Sequence, residues 1–320
     1  MTTSNEVYDV IIAGQGAGGF SAGMYAARYQ LKPVIIGAMF GGETATGGLI
    51  ENYPGFPEID GFDLMLKFRE HAEKYNVPIV DDKLVKAVKT ADGFEVTGDT
   101  GETYRGRSLI LAIGRERRSL RLDHESDWTG RGVSYCSTCD APLHRGNTVA
   151  VVGGGDSAVK GAVLISKYAE KVYIIYRQGE FKRPEMANLS QLNDTTNVER
   201  LFDTNVVELL GNDAAGLESI RIDRPHNGED VLKVDGLFIE IGADPRKDLA
   251  VQLGANINDQ DEVIVNKYMQ TNVPGLLAAG DLTDASGDLK QTITASAQGS
   301  LAATAAYEYV SRLAAATVSA

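Results

Sequence analysis

Two stretches of this chain repeat one design: an apolar run of buried-strand length, a cluster of glycines, then a small-residue segment of helical character. In the first, residues 8–13 read as a strand, Gly14-Gln15-Gly16-Ala17-Gly18-Gly19 follows directly, and residues 20–28 read as a helix before a second strand at 33–36. In the second, the strand is 148–152, the loop is Gly153-Gly154-Gly155-Asp156-Ser157-Ala158, the helix runs to about 168 and the next strand is 172–175. This is the setting in which a G-x-G-x-x-G/A pattern carries meaning. The first glycine makes the turn, the second lets backbone approach a pyrophosphate, and the third admits the helix, whose N-terminal N–H groups face the anion. One such loop can be a plain structural turn. Two of them, with Gly37 and Tyr176 falling at the same step beyond their first glycines, predict an α/β chain that binds two dinucleotides.

That repeat marks Gly14, Gly16, Ala17 and Gly19, and Gly153, Gly155, Asp156, Ser157 and Ala158, as cofactor-binding candidates. With 320 residues there is room for two domains. Forty-four acidic residues against 31 basic ones give a net charge of −13, which disfavours nucleic acid and anionic membranes as partners. There is no apolar run of spanning length, and residues 1–12 lead into a strand without a signal-peptide pattern. The expected location is the cytoplasm.

Only two cysteines occur, Cys136 and Cys139, in the stretch Ser134-Tyr135-Cys136-Ser137-Thr138-Cys139-Asp140-Ala141. A C-x-x-C is open to several readings: half a zinc site, a structural staple, a chance spacing, or a working dithiol. In a cytoplasmic protein a lone disulfide is more often catalytic or metal-related than structural. Zinc needs more ligands than the pair supplies, and His71, His124, His144 and His226 are scattered without ligand spacing, so no metal site is expected.

The end of the second strand in each unit is where a ribose is read. Gly37 and Ala38 say nothing, but Arg177, Lys182 and Arg183 follow Tyr176 with no acid in the first position. Such cations favour a 2′-phosphate, hence NADPH over NADH; the alternative is a solvated basic loop. Further strands are expected at 94–97 and 108–114, and a break follows at 115–118. A second break comes after 245, and residues 273–281 run from a strand into Gly280-Asp281. From Lys290-Gln291 an alanine-rich helix continues to about 315, serving either as a packing helix or as support for a cofactor at its N-terminus.

Taken in order, these features resemble the low-molecular-weight thioredoxin reductase family of flavoproteins from about Tyr8 to Tyr309. The resemblance is carried by Gly14 to Gly19, Glu51-Asn52-Tyr53-Pro54-Gly55-Phe56-Pro57, Gly130-Arg131-Gly132-Val133-Ser134-Tyr135 ahead of the C-x-x-C-D, Gly153 to Ala158, and Gly280-Asp281 with Lys290-Gln291. It implies two Rossmann-like dinucleotide-binding domains, the second inserted into the first: an FAD domain from 1–115 and 247–320, and an NAD(P)H domain from 116–246 that carries the dithiol. It also implies that Asp281 binds the ribityl chain and that Gln291 lies against the flavin, with Asn52, Gly114 and Gly280 in the same FAD-binding set. Cys139 would face the flavin, Cys136 would attack a thioredoxin-like protein disulfide, and Asp140 would move the proton. Members are usually homodimers whose domains rotate, and the breaks at 115–118 and 242–244 are natural hinges. Three positions depart from the family pattern. Tyr176-Arg177-Gln178 followed by Lys182 stands where the family has H-R-R-x-x-x-R, leaving NADH or ferredoxin open as donors beside NADPH, and a redox sensor without turnover is a further reading. Val159-Lys160 replaces glutamates, and Ala141 replaces a glycine after C-x-x-C-D.

Overall fold

The computed structural model describes residues 6–182, 184–287 and 289–318. The chain forms two compact units, Arg117–Asp244 and the segments on either side of it, each built on its own sheet.

In the outer unit the strands are β1 (Val7–Ala13), β2 (Pro33–Ile36), β3 (Ile79–Val80), β4 (Leu84–Thr90), β5 (Gly93–Gly98) and β6 (Thr103–Leu111). Their order is β3-β2-β1-β6-β5-β4, and a short strand at Leu276–Ala278 pairs with the far end of β6. β1, β2, β3, β6 and Leu276–Ala278 run parallel, whereas β4, β5 and β6 form an antiparallel meander. A parallel sheet is covered on both faces, so its strands are apolar without alternation. Ile11, Val34, Ile36 and Leu109 pack with Leu249 and Leu282 on one face, while Val10, Ile12, Ile35 and Ile110 pack with Phe20 and Ala302 to Ala306 on the other.

The alanine-rich segment is the helix Thr292–Val318, which crosses the helix Ala17–Arg28 almost backbone to backbone. A Cβ on Gly299 would come within 2.0 Å of the Gly18 carbonyl oxygen, so glycine is required there. Beside the crossing Ser21 and Ser296 share a hydrogen bond of 2.8 Å, and Tyr29 stacks on Tyr307. Small residues allow this close approach, and it places the start of the C-terminal helix beside the first glycine loop.

In the inner unit the strands are β7 (Val133–Ser134), β8 (Thr148–Val152), β9 (Lys171–Tyr176), β10 (Val198–Phe202), β11 (Val206–Asn212), β12 (Gly216–His226), β13 (Glu229–Lys233) and β14 (Gly236–Ile239). The sheet β7-β14-β8-β9-β10 is wholly parallel, and β11-β12-β13 form a separate antiparallel sheet. Val149, Val151, Ile174 and Phe238 face Ala158, Ala162 and Ile165 of the helix Asp156–Ser166. Ala150, Ile175 and Leu237 face Trp128 and the antiparallel sheet. Among the described residues, no helix is long and apolar enough to cross a membrane.

Candidate functional site

The two glycine loops have the same geometry. Gly14 has φ +117° and a Cβ there would lie 2.2 Å from the Ala112 carbonyl oxygen; Gly153 has φ +147° and would meet the Glu240 carbonyl oxygen at 2.2 Å. Gly19 would press a Cβ to 1.9 Å from the Gly14 oxygen, whereas Ala158 occupies the matching place in the second loop. The middle glycines differ from these. Among the described residues, Gly16 (φ −84°) has nothing closer than the Gly41 oxygen at 3.9 Å, and Gly155 (φ −89°) has nothing within 4 Å. Neither strain nor crowding inside the protein calls for glycine at those two positions. Each caps a helix, beginning at Ala17 and at Asp156-Ser157, without a side-chain bond to the first turn. The free N–H groups and the cleared space together suit a pyrophosphate.

Near the first loop, the turn Gly280-Asp281 is pinned from the C-terminal helix. The buried Gln298 side-chain oxygen accepts from the Gly280 N–H at 2.7 Å and from Thr283 Oγ1 at 3.2 Å. Lys290 bonds the Thr283 carbonyl and pairs with the buried Glu262 at 2.8 Å. Burial raises the Asp281 pKa, the Lys290 and Arg115 charges pull it back, and Glu43 pushes it up. Among the described residues, the buried Nε of Arg115, which follows Gly114 (φ +65°), has no hydrogen-bond partner. Asn52 Nδ2 donates to Gln291 Oε1 at 3.2 Å, joining two residues far apart in sequence.

In the second loop Asp156 is engaged by the protein itself. Its carboxylate accepts from the Glu185 N–H at 2.7 Å and from Asn188 Nδ2 at 3.0 and 3.1 Å. The Lys182 N–H donates to the Gly154 carbonyl at 2.7 Å, and the Tyr176 ring covers Gly154. The cation-bearing loop is thereby folded onto the glycine loop. Arg177 and Lys182 are exposed, and their side chains make no hydrogen bond or ion pair among the described residues; Arg183 lies outside them. Gln178 accepts from the Tyr176 hydroxyl at 3.0 Å.

Cys136 and Cys139 are joined in a disulfide with Cα atoms 5.3 Å apart. They sit where β7 gives way to the short helix Ser137–Asp140 and a 3-10 turn, Ala141–His144. The Cys139 N–H donates to Cys136 Sγ at 3.2 Å, and the Cys136 N–H donates to Ser134 Oγ at 3.0 Å. Cys139 is exposed; Cys136 and Asp140 are half-buried. His144 lies on the bare Cα of Gly236, edge-on to Phe238 at 5.2 Å. Burial lowers its pKa while Asp140 and Asp235 pull it back up. Among the described residues, no cluster of His, Cys, Asp or Glu could hold a metal ion.

The chain matches the pyridine nucleotide-disulphide oxidoreductase family over residues 8–299. It is 38% identical over 308 residues to the thioredoxin reductase of Mycolicibacterium smegmatis, covering 93% of this chain and 95% of that one. It is 32% identical over 314 residues to the thioredoxin reductase of Listeria monocytogenes, covering 98% and 97%. The chain belongs to the low-molecular-weight thioredoxin reductases. Among solved structures, the thioredoxin reductase of Lactococcus lactis superposes with a TM-score of 0.88 at 30% identity, over 95% of this chain and 99% of that one.

A thioredoxin reductase is an oxidoreductase, and membership implies a flavin and a pyridine nucleotide. The residues present fit both groups. The spaces beside Gly16 and Gly155 suit two pyrophosphates, and the Asp281 carboxylate next to Gly280 suits a ligand hydroxyl. The sequence did not single out Ser137 or Glu240, whose hydrogen bond of 2.8 Å underlies the disulfide turn. No local pattern links residues so far apart in the chain.

Proposed function

We propose that the protein passes two electrons from NADPH through FAD to the Cys136–Cys139 disulfide, and that the dithiol so formed reduces thioredoxin or a similar small protein. One observation carries this reading: a C-x-x-C disulfide followed by Asp140 lies in the same unit as the second glycine loop. A bound FAD supplies a carrier that accepts hydride from a nucleotide and delivers electrons to a disulfide. Gly14, Gly16, Ala17 and Gly19 would hold its pyrophosphate, Gly280 and Asp281 its ribityl chain, and Gly114, Asn52 and Gln291 would flank the ring. Gly153, Gly155, Ser157 and Ala158 would hold the NADPH pyrophosphate, with Arg177, Lys182 and Arg183 on the 2′-phosphate. Asp156 ties Glu185 and Asn188 to the second glycine loop.

The dithiol acts by exchange. The Cys136 thiolate attacks one sulfur of the substrate disulfide, forming a mixed disulfide and releasing one substrate thiolate. The Cys139 thiolate then attacks Cys136 Sγ, restoring the Cys136–Cys139 bond and releasing the second thiolate. The Cys139 N–H at 3.2 Å supports charge on Cys136 Sγ, and Asp140 is the group at hand to give and take the protons. The acidic net charge of −13 fits a protein partner that is not a nucleic acid. We place the enzyme in the cytoplasm as a homodimer.

A second reading, NADH as donor, is favoured by the departure from the family's arginines: Gln178 carries no charge, and Lys182 meets phosphate as a point charge without the fork. Anaerobic titration of the flavin-loaded protein with each nucleotide separates the two. Bleaching of the flavin by NADPH at lower concentration than by NADH is expected; the reverse order would establish NADH, and bleaching by dithionite alone would overturn pyridine nucleotide as donor.

A further inference from the structure

One buried hydrogen bond beneath the disulfide has no part in the roles assigned above. Ser137 Oγ donates to Glu240 Oε1 at 2.8 Å. Ser137 is 6% exposed and the Glu240 side chain 12%, so the bond is held away from water. Room for it is made by Gly161 on the neighbouring helix, where a Cβ would come 2.6 Å from Ser137 Oγ. The main chain of Glu240 is fixed by the sheet: its N–H donates to the Val152 carbonyl at 2.8 Å, and its own carbonyl oxygen lies under Gly153. Arg117 Nη1 stands 4.0 Å from the same carboxylate oxygen. Glu240 thus has a backbone locked into the central sheet and a carboxylate locked onto the first residue of the disulfide turn.

We propose that Glu240 is a positioning residue for the redox pair: through Ser137 it holds the turn in the conformation that keeps Cys136 and Cys139 within bonding reach, favouring the disulfide over the dithiol. Two effects act in the same direction. Anchoring Ser137 limits the freedom that the turn gains when the S–S bond opens, which raises the effective concentration of each thiol for the other. A carboxylate beside the first turn also disfavours a thiolate there, with the Arg117 charge offsetting part of that field. The inference rests on Cys136 and Cys139 being the redox pair, and requires neither nucleotide nor protein partner.

The test is equilibration of the flavin-loaded, full-length protein in glutathione buffers of graded ratio. Two glutathione thiols are oxidised to one glutathione disulfide as the Cys136–Cys139 bond breaks, taking up two electrons and two protons. Alkylation and mass spectrometry count the thiols. Ser137→Ala and Glu240→Ala should each move the equilibrium constant toward the dithiol by roughly three- to tenfold, a tenfold change being about 30 mV. The double variant should shift no further than Glu240→Ala, because both substitutions break one bond. Glu240→Gln, which keeps the acceptor oxygen and loses the charge, should restore the anchoring part of the shift and equilibrate between wild type and Glu240→Ala. Ser137→Ala equilibrating as wild type, a double variant showing the sum of the two shifts, or Glu240→Gln matching Glu240→Ala would each overturn the proposal. Ser137→Ala removes a single oxygen and carries the test even if Glu240→Ala fails to fold. A wild-type protein that never forms the dithiol at any ratio would overturn the redox reading and this inference with it, whereas failure of the nucleotide titration leaves this inference standing.

Discussion

Replacing Gly16 and Gly14 separately by alanine distinguishes what the first glycine loop does for the fold from what it does for a ligand. At Gly14 the alanine methyl would stand 2.2 Å from a carbonyl oxygen at φ +117°, so Gly14→Ala should destabilise the protein by about 3 kcal/mol or more. At Gly16 the methyl enters open space at an ordinary φ of −84°. Alanine is a poorer N-cap than glycine by about 1 kcal/mol, but it stiffens the unfolded chain by about 0.4–1 kcal/mol, so net stability should change by less than about 1 kcal/mol. Flavin binding should respond differently. A methyl in the space kept for a pyrophosphate forfeits at least one hydrogen bond to a charged group, about 1.5–3 kcal/mol, which weakens FAD by roughly 10- to 100-fold. Thermal unfolding of the flavin-stripped proteins and FAD titration by fluorescence quenching measure the two quantities. If Gly16→Ala binds FAD as tightly as wild type, the argument from cleared space is wrong.

Asp281→Asn should raise the melting temperature of flavin-stripped protein at neutral pH while weakening FAD. Burial raises the folded-state pKa of Asp281, so its contribution to stability is present in full below the unfolded value of 3.8 and is lost as pH rises through the folded value. An unchanged melting temperature would contradict this. His144 has the opposite sign: burial depresses its folded pKa, so the unfolded chain takes up the proton first and stability falls as pH drops below the model-peptide value of 6.5. His144→Phe should flatten the fall in melting temperature between pH 7.5 and 5.5, and equal slopes would sink the assignment. Arg177→Ala and Lys182→Ala should each raise KM for NADPH severalfold and leave KM for NADH unchanged, as steady-state assays with both nucleotides would show; equal effects on both would remove the 2′-phosphate contact.

The parts of this protein that were legible in its sequence are those where backbone geometry restricts residue choice. Gly14 and Gly153 must pass over a carbonyl oxygen, and Gly19 must clear Gly14, so the loops announce themselves wherever they occur. The apolar runs 10–13 of β1 and 149–152 of β8 are legible for a related reason, since the part of a parallel strand covered on both faces leaves no place for a polar residue. The hydrogen bond between Asn52 and Gln291 joins two motif residues that only a family resemblance had linked. What the sequence concealed are the side chains whose partners are set by tertiary packing. At the head of its helix, Asp156 carries no sign in the sequence that its carboxylate accepts from the Glu185 N–H and from Asn188 across a loop. Ser137 reads as filler between two cysteines until Glu240 is brought beneath it.

In the proposed function, Cys136 and Cys139 relay electrons from a pyridine nucleotide to a protein disulfide. This relay is tested most directly by following NADPH consumption and thioredoxin thiol formation together, for wild type, Cys136→Ser and Cys139→Ser. Wild type should oxidise one NADPH for every thioredoxin disulfide reduced. Each serine variant should retain its flavin and still be bleached by NADPH, yet form no thioredoxin thiols. Turnover of thioredoxin by either variant would contradict the account.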